Sequence, residues 1–173
     1  MKKLLYISLL ILSGLQVNAQ DKKDIDSLYK VLLTLSESDT HIVRVLNSLA
    51  WDVSYHDLDS GLVLINRSLA IAREQGHVEG EASAQNVAGT IYADLGRYPE
   101  AINAHLQSIR LKDSLHADPS DLGGSYHNLS LVYESMDSLE VSIRYQRLAY
   151  DFYKLGPDHS GIAPIANVLG RHC

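Results

Sequence analysis

The chain repeats itself at a fixed period. Gly89-x-x-Tyr92-x-x-x-Gly96-x-Tyr98-x-x-Ala101 returns 41 residues later as Ser130-x-x-Tyr133-x-x-x-Asp137-x-Leu139-x-x-Ser142. Upstream, Gly61-Leu62-x-x-Ile65-x-x-Ser68-Leu69-x-Ile71 matches Ala101-Ile102-x-x-His105-x-x-Ser108-Ile109-x-Leu111 at a spacing of 40. Self-similarity of this kind marks a stack of short units, none of which can bury its own apolar face, so the core must run from unit to unit.

Within each unit the apolar period is helical. Ile25, Leu28, Leu32 and Leu35 share one stripe, predicting a helix that ends near Ser36–Asp39. Asp39 or Thr40 can cap the next, which carries Val43, Leu46, Leu49, Ala50 and Val53. His56-Asp57-Leu58-Asp59 turns the chain into a partner helix over about Ser60–Gln75, closed by Gly76 in the left-handed region. The second pair carries Ala84, Val87, Ala88, Ile91 and Tyr92, breaks at Leu95-Gly96-Arg97, and restarts with Pro99 in a first turn that needs no N–H donor. The third follows the turn cluster His116–Pro119, sets Tyr126, Leu129, Ser130 and Tyr133 against Ile143, Gln146, Ala149 and Tyr150, and stops at Leu155-Gly156-Pro157. Small residues at Ala88, Gly89, Ala101 and Ser108 let two helices approach, with Tyr92 and Tyr133 expected to fill the wider space beside them.

A fourth copy, Ala166–Gly170, repeats Gln85–Gly89 and is incomplete at Cys173. That edge is expected to fray, to self-associate, or to belong to a longer parent. The fold class is therefore all-α: a right-handed superhelical solenoid of antiparallel helix pairs, three pairs plus a partial fourth. The organisation expected is a leader at 1–19, a lead-in and helix at 20–38, and the array at 39–173.

The leader expectation rests on the basic start Met1-Lys2-Lys3, the apolar run Leu4–Leu15 and the small-residue ending Val17-Asn18-Ala19, the pattern of a secretory signal peptide. It predicts an exported protein, periplasmic or extracellular, whose mature chain starts at Gln20 and has no stable membrane span. Loss of Lys2 and Lys3 makes the formal charge of −6 two units more negative, and an acidic surface disfavours nucleic acid. Cys173 is the sole cysteine, so no internal disulfide can form and stability must come from packing.

Signatures of nucleotide binding, zinc proteolysis and serine hydrolysis are missing, and no cofactor is implied. His41, His56, His77, His116 and His159 fall in predicted turns or near helix ends, which reads as solvated surface. His56-Asp57-x-Asp59 lacks a second close histidine and reads as a turn and helix cap rather than a metal site. His105 lies on an inner stripe, as a packed histidine would. An enzyme built on His105 or His127 would need an acid partner that the sequence does not reveal. The glycosylation triplets at Asn66 and Asn128 lie within predicted helices and are not expected to be used. Tyr145, Tyr150, Phe152 and Tyr153 read either as an interaction stripe or, for Tyr150 and Tyr153, as cover for the last pair's core.

The pattern Leu/Ala-Gly-x-x-Tyr, Gly-x-Tyr-x-x-Ala and a final small–large pair resembles the tetratricopeptide repeat, and the spacing near 40 is similar to its variant with an extended second helix. The resemblance covers Val43 to Cys173 and is strongest in the second copy. It departs at Gln85, at His105 and in a first A-to-B turn one residue short near Asp57. The leader, the charged helix and the Leu49-Ala50-Trp51 segment together are similar to the extracytoplasmic N-terminal region of bacterial membrane sensor histidine kinases and regulators.

What the resemblance implies is a non-catalytic scaffold that binds a protein or peptide in its concave groove. The alternative it leaves is the sensor portion of a signal-transduction receptor whose kinase or DNA-binding output domain is absent. The groove residues expected are Asn47, Asn86, His127 and Asn167, with Trp51, Thr90 and Leu131 one turn on, as a ladder of donors and acceptors for an extended backbone. The competing reading makes those asparagines ordinary solvated helix surface.

Overall fold

The computed structural model describes residues 19–170. The expected leader lies almost wholly outside them, as does Cys173. Eight helices follow in order among the described residues: α1 (Ala19–Thr34), α2 (His41–Ser54), α3 (Leu58–Glu74), α4 (Val78–Asp94), α5 (Tyr98–Ser114), α6 (Pro119–Ser135), α7 (Leu139–Leu155) and α8 (Ile162–Gly170). They pack as sequential antiparallel pairs, and no described helix is long and apolar enough to cross a membrane. The chain divides between Gly80 and Glu81, inside α4, into two compact units.

The turns show why the helices stop where they do. Gly76, Gly96, His116 and Asp137 all have positive φ, each two residues past a helix end. At each, the residue's own N–H bonds the carbonyl three back, and the next N–H reaches the carbonyl five back. Examples are Arg97 N to Tyr92 O at 2.8 Å and Ser138 N to Tyr133 O at 2.9 Å. This is the Schellman closure, which satisfies orphan carbonyls at the cost of one left-handed residue. Glycine meets that cost freely in two turns, whereas His116 and Asp137 carry a Cβ there. The α2–α3 connection lacks such a residue. Helix α2 ends one residue earlier than its counterparts, Tyr55 stays right-handed, and Asp57 starts α3 by accepting from the N–H groups of Asp59 and Ser60. The shortened turn thus falls where the sequence puts it. At the start of α2 it is Asp39, not Thr40, whose side chain accepts a helix N–H, from His41 at 2.9 Å.

In the first unit, α1 packs on α2 and α2 on α3. Ile25, Ile42, Val43, Leu46, Leu49, Val53 and Ile65 are all but sealed from solvent. Each such side chain contributes roughly 1.5–3 kcal/mol by leaving water. The loop before α2 is tied down by Gln75, whose amide donates to the Glu37 carbonyl at 2.6 Å, and by an Arg67–Glu37 ion pair at 2.8 Å.

In the second unit the sealed apolar side chains are mostly alanine: Ala82, Ala84, Ala88, Ala101, Ala104 and Ala149, beside Ile91, Leu129, Val132 and Ile165. The bulk is supplied by aromatic rings. Tyr126 stacks on Phe152 at 5.2 Å and on Tyr145 at 6.3 Å, and Tyr145 stacks on Tyr133 at 5.3 Å, all against Ile109, Leu122 and Leu129. Tyr145 and Phe152 therefore lie with the core cluster. Tyr92 corrects an expectation: it is half-buried, under the Arg97 guanidinium at 4.7 Å, because the residue after Gly96 folds a cation over its ring.

One contact recurs in both units. Ser68 donates to the Val43 carbonyl at 3.2 Å, and Ser108, at the matching position, to the Ala82 carbonyl at 2.8 Å. In the third pair the same place holds Ala149 and Gly123, where an added Cβ on Gly123 would sit 3.2 Å from the Ala149 carbonyl. A small residue at this height is what lets each pair close.

Candidate functional site

The polar side chains of the second unit converge. His105 on α5 is sealed from solvent, and its ring presses on Gly89, where an added Cβ would come within 2.6–2.7 Å of three ring atoms. His105 Nδ1 lies 3.2 Å from Asn86 Oδ1, and Asn128 Nδ2 donates to that same oxygen at 3.3 Å. With Oδ1 as acceptor, His105 is the Nδ1–H donor. Burial brings its imidazole down to about 4 from an ordinary 6.5, with the Lys112 ammonium pushing the same way, so it is neutral at pH 7.

Asn86 and Asn128 line a cavity of about 390 Å³ together with His127, Lys112 and the aspartates 118, 121 and 158. The bonds above use Asn86 Oδ1 and Asn128 Nδ2. Asn86 Nδ2 on α4 and Asn128 Oδ1 on α6 take no part in these bonds, which leaves a donor and an acceptor beside them. His127 has its Nδ1 buried without a partner, and burial lowers its pKa against the opposing charge of Glu134. Lys112 reaches in from α5 and donates to the Asp121 carbonyl at 3.0 Å and to Ser125 Oγ at 2.8 Å. Burial lowers its pKa, with Asp121 opposing.

The far wall is the α7–α8 loop. Gly156 sits so close to α6 that an added Cβ would lie 2.1 Å from Ser120 Oγ and 2.9 Å from Asp118 Oδ1. The Asp158 N–H donates to Ser120 Oγ at 3.1 Å, and the Ser160 N–H to Asp158 Oδ1 at 2.9 Å. That second bond leads the causes holding the Asp158 carboxyl below its ordinary range. Asp118 caps α6 through the Ser120 N–H at 2.8 Å. Among the described residues no group of three His, Cys, Asp or Glu side chains could hold a metal ion.

The expected ladder is placed unevenly. Asn86 and His127 line the cavity. Thr90 is half-buried, its hydroxyl 3.4 Å from the Asn86 carbonyl. Leu131 is 45% exposed, and Asn167 is exposed on α8. In the first unit Asn47 is only 8% exposed, with Oδ1 accepting from Ser68 at 2.6 Å and Nδ2 donating to the Gly80 carbonyl at 3.3 Å, so neither end of its amide is open. Trp51 there makes an edge-on pair with the exposed Tyr55 at 5.3 Å. Asn128, Lys112 and the three aspartates are not among the residues expected from the sequence. Asn128 is one residue beyond the position matching Asn86, and the Gly156–Ser160 wall belongs to no repeat. The signal that could have found the aspartates is their clustering around Pro119 and Pro157.

Solved structures carry the same fold. TPR-like repeats attributed to a kinesin light chain of Podosopora anserina align over 98% of this chain and 84% of theirs, at 16% identity and a TM-score of 0.67. A singly substituted form of those repeats aligns over the same shares at 16% identity, with a TM-score of 0.69. BtubC (BKLC) from P. vanneervenii aligns over 95% of this chain and 77% of its own, at 18% identity and a TM-score of 0.63. No protein-family model and no curated protein matches the sequence. At such identities the likeness defines a class by fold: a TPR-like array of helix pairs.

Proposed function

We propose that this chain is an exported, non-catalytic repeat scaffold that binds a protein or peptide through the polar cavity of its second unit. The observation carrying this reading is the amide pair Asn86–Asn128. The donor left on one amide and the acceptor left on the other, on α4 and α6, match the carbonyl and N–H of a peptide in extended form. A fold of this class typically binds other chains, which supports the reading. His105 is a poor general base, because its ring is sealed from solvent against Gly89 and burial brings its pKa down to about 4. Export is supported by the N-terminal sequence pattern alone. Mass spectrometry of the secreted fraction should find Gln20 first, and an intact Met1 there would overturn it.

The binding reading is tested by titrating purified protein with pooled, end-capped nonapeptides while following side-chain amide resonances. Asn86 and Asn128 should shift, and Asn128→Ala should weaken binding by roughly tenfold, as loss of a hydrogen-bonded anchor does. Binding that leaves both resonances still would send the site elsewhere.

A further inference from the structure

We propose that this chain is O-glycosylated on the serine of a recurring Asp-Ser-Leu triplet, at Ser138 and at Ser114. The proposal rests on the export reading above and is independent of the binding reading.

The triplet stands three times, as Asp26-Ser27-Leu28, Asp113-Ser114-Leu115 and Asp137-Ser138-Leu139. The repeat does not generate it, because the copies fall at unlike places: inside α1, at the end of α5 and at the start of α7. The equivalent turns are made without it, by Arg73-Glu74-Gln75 and by Gly96-Arg97-Tyr98.

The fold makes little use of the third copy. Asp137 takes a left-handed φ of 55 with a Cβ, where Gly96 takes its own without one. That turn closes through backbone groups alone, Asp137 N–H to the Glu134 carbonyl and Ser138 N–H to the Tyr133 carbonyl, each at 2.9 Å, so the carboxylate plays no part in it. Ser138 is the N-cap residue of α7, yet its hydroxyl accepts no helix N–H, the usual work of a serine there. It reaches only the Met136 carbonyl, at 3.5 Å. Leu139 leaves 45% of its surface in water. A strained aspartate, an idle hydroxyl and an exposed leucine in succession suit an outside agent better than the turn itself. The second copy is equally open. Asp113 and Ser114 are exposed, Leu115 is 43% exposed, and Ser114 Oγ donates to the Leu111 carbonyl while keeping its lone pairs. Ser27 lies within α1 between half-buried neighbours and is expected to carry less.

The group added is read from where the two serines sit. Ser114 is the last residue of α5 and Ser138 caps the start of α7. A phosphate would gain at the α7 N-terminus and be opposed at the α5 C-terminus, beside Asp113. A neutral sugar suits both. An exported chain is also away from nucleoside triphosphates, whereas a sugar diphosphate built on a membrane lipid can reach it. In the transfer, the serine Oγ bonds to the anomeric carbon as the bond from that carbon to the diphosphate oxygen breaks. The lipid diphosphate leaves with the electron pair, and the hydroxyl proton passes to a base of the transferring enzyme.

The test is the intact mass of the chain recovered from the extracytoplasmic fraction of the cells that naturally make it. The mass should exceed that of the chain from Gln20 to Cys173 by whole sugar residues, and peptide mapping should place them on Ser138 and Ser114. Ser138→Ala should lose one glycan and Ser138→Thr should keep it. Asp137→Asn leaves the hydroxyl in place and should lose the glycan at 138 alone, with an unchanged urea midpoint showing that the loss is not misfolding. A chain that begins at Gln20 and carries no sugar overturns the inference and leaves export standing. So does a phosphate at either serine, sugar confined to other residues, or a glycan that persists on Ser138 in Asp137→Asn. An unmodified chain with Met1 intact overturns both.

Discussion

Position 65 in the first unit is an isoleucine, sealed in a core of leucine, isoleucine and valine. The matching positions in the second unit are His105 and Gln146, equally sealed, in a core of alanine and stacked rings. The opposing small residue changes in step, from Ala50 to Gly89 to Ser130. One repeat geometry is thus filled in two ways. The first unit buries its polar exception completely, closing Asn47 on Ser68 and Gly80, whereas the second runs its polar chain from His105 through Asn86 to Asn128 at a cavity wall. The comparison teaches that a buried polar residue in a repeat core can serve packing in one copy and reach a surface site in the next.

The largest effect expected is on the aliphatic side of this comparison. Leu46→Ala should destabilise by about 2–5 kcal/mol, the range for a sealed leucine. Tyr92→Ala should cost only about 1–2 kcal/mol, since its ring is half-exposed and held partly by Arg97. Urea melts giving Tyr92→Ala the larger loss would break the contrast between aliphatic and aromatic packing.

Next comes pH. The unfolded imidazole at 105 takes a proton near 6.5 and the folded one near 4, so between those values the unfolded chain binds more protons. Stability from His105 is fully present above about 6.5 and is lost as pH falls towards 4, by on the order of 3 kcal/mol. His105→Gln, which borrows the third pair's residue, should flatten that part of the profile. An unchanged slope would mean that other groups carry it.

A smaller effect should follow from exchanging the two solutions. Gly89→Ala drives a Cβ into the His105 ring and should cost about 1–3 kcal/mol. Gly89→Ala/His105→Ile imports the Ala50 and Ile65 combination of the first unit, and should recover part of that loss. A double-mutant cycle with no coupling would show that the small–large pairing is not what these positions share.

The array and its turns were legible because a repeat prints the same requirement more than once. Gly76 marked a left-handed closure, Leu95-Gly96-Arg97 a break, Pro99 a helix start, and Asp57 a cap. The early end of α2 could be read from one missing residue. The cavity was only half legible. Asn86 and His127 could be picked out by position within the repeat, but Asn47 could not be told from Asn86, because what separates them is the partner on helix B, Ser68 in one pair and His105 in the other. Asp118 and Asp158 escaped because their meeting depends on the α7–α8 loop lying over the start of α6, a contact outside the periodic pattern.

The smallest effect concerns the four Schellman turns. Gly76 and Gly96 take positive φ without steric cost, while Asp137 does so at φ 55 with a Cβ that crowds the following carbonyl. Aspartate tolerates this conformation better than most residues, and glycine gives up more backbone entropy on folding, so the two effects partly cancel. The net expectation is that Asp137→Gly stabilises by about 0.5–1 kcal/mol and that Gly96→Asp destabilises by a similar amount. Asp137 is exposed, so no packing loss obscures the backbone term. Urea melts of both variants at pH 7 measure it. If Asp137→Gly is instead destabilising, the aspartate side chain must hold the turn by means other than its φ, and the third pair's turn would then differ in kind from the second's.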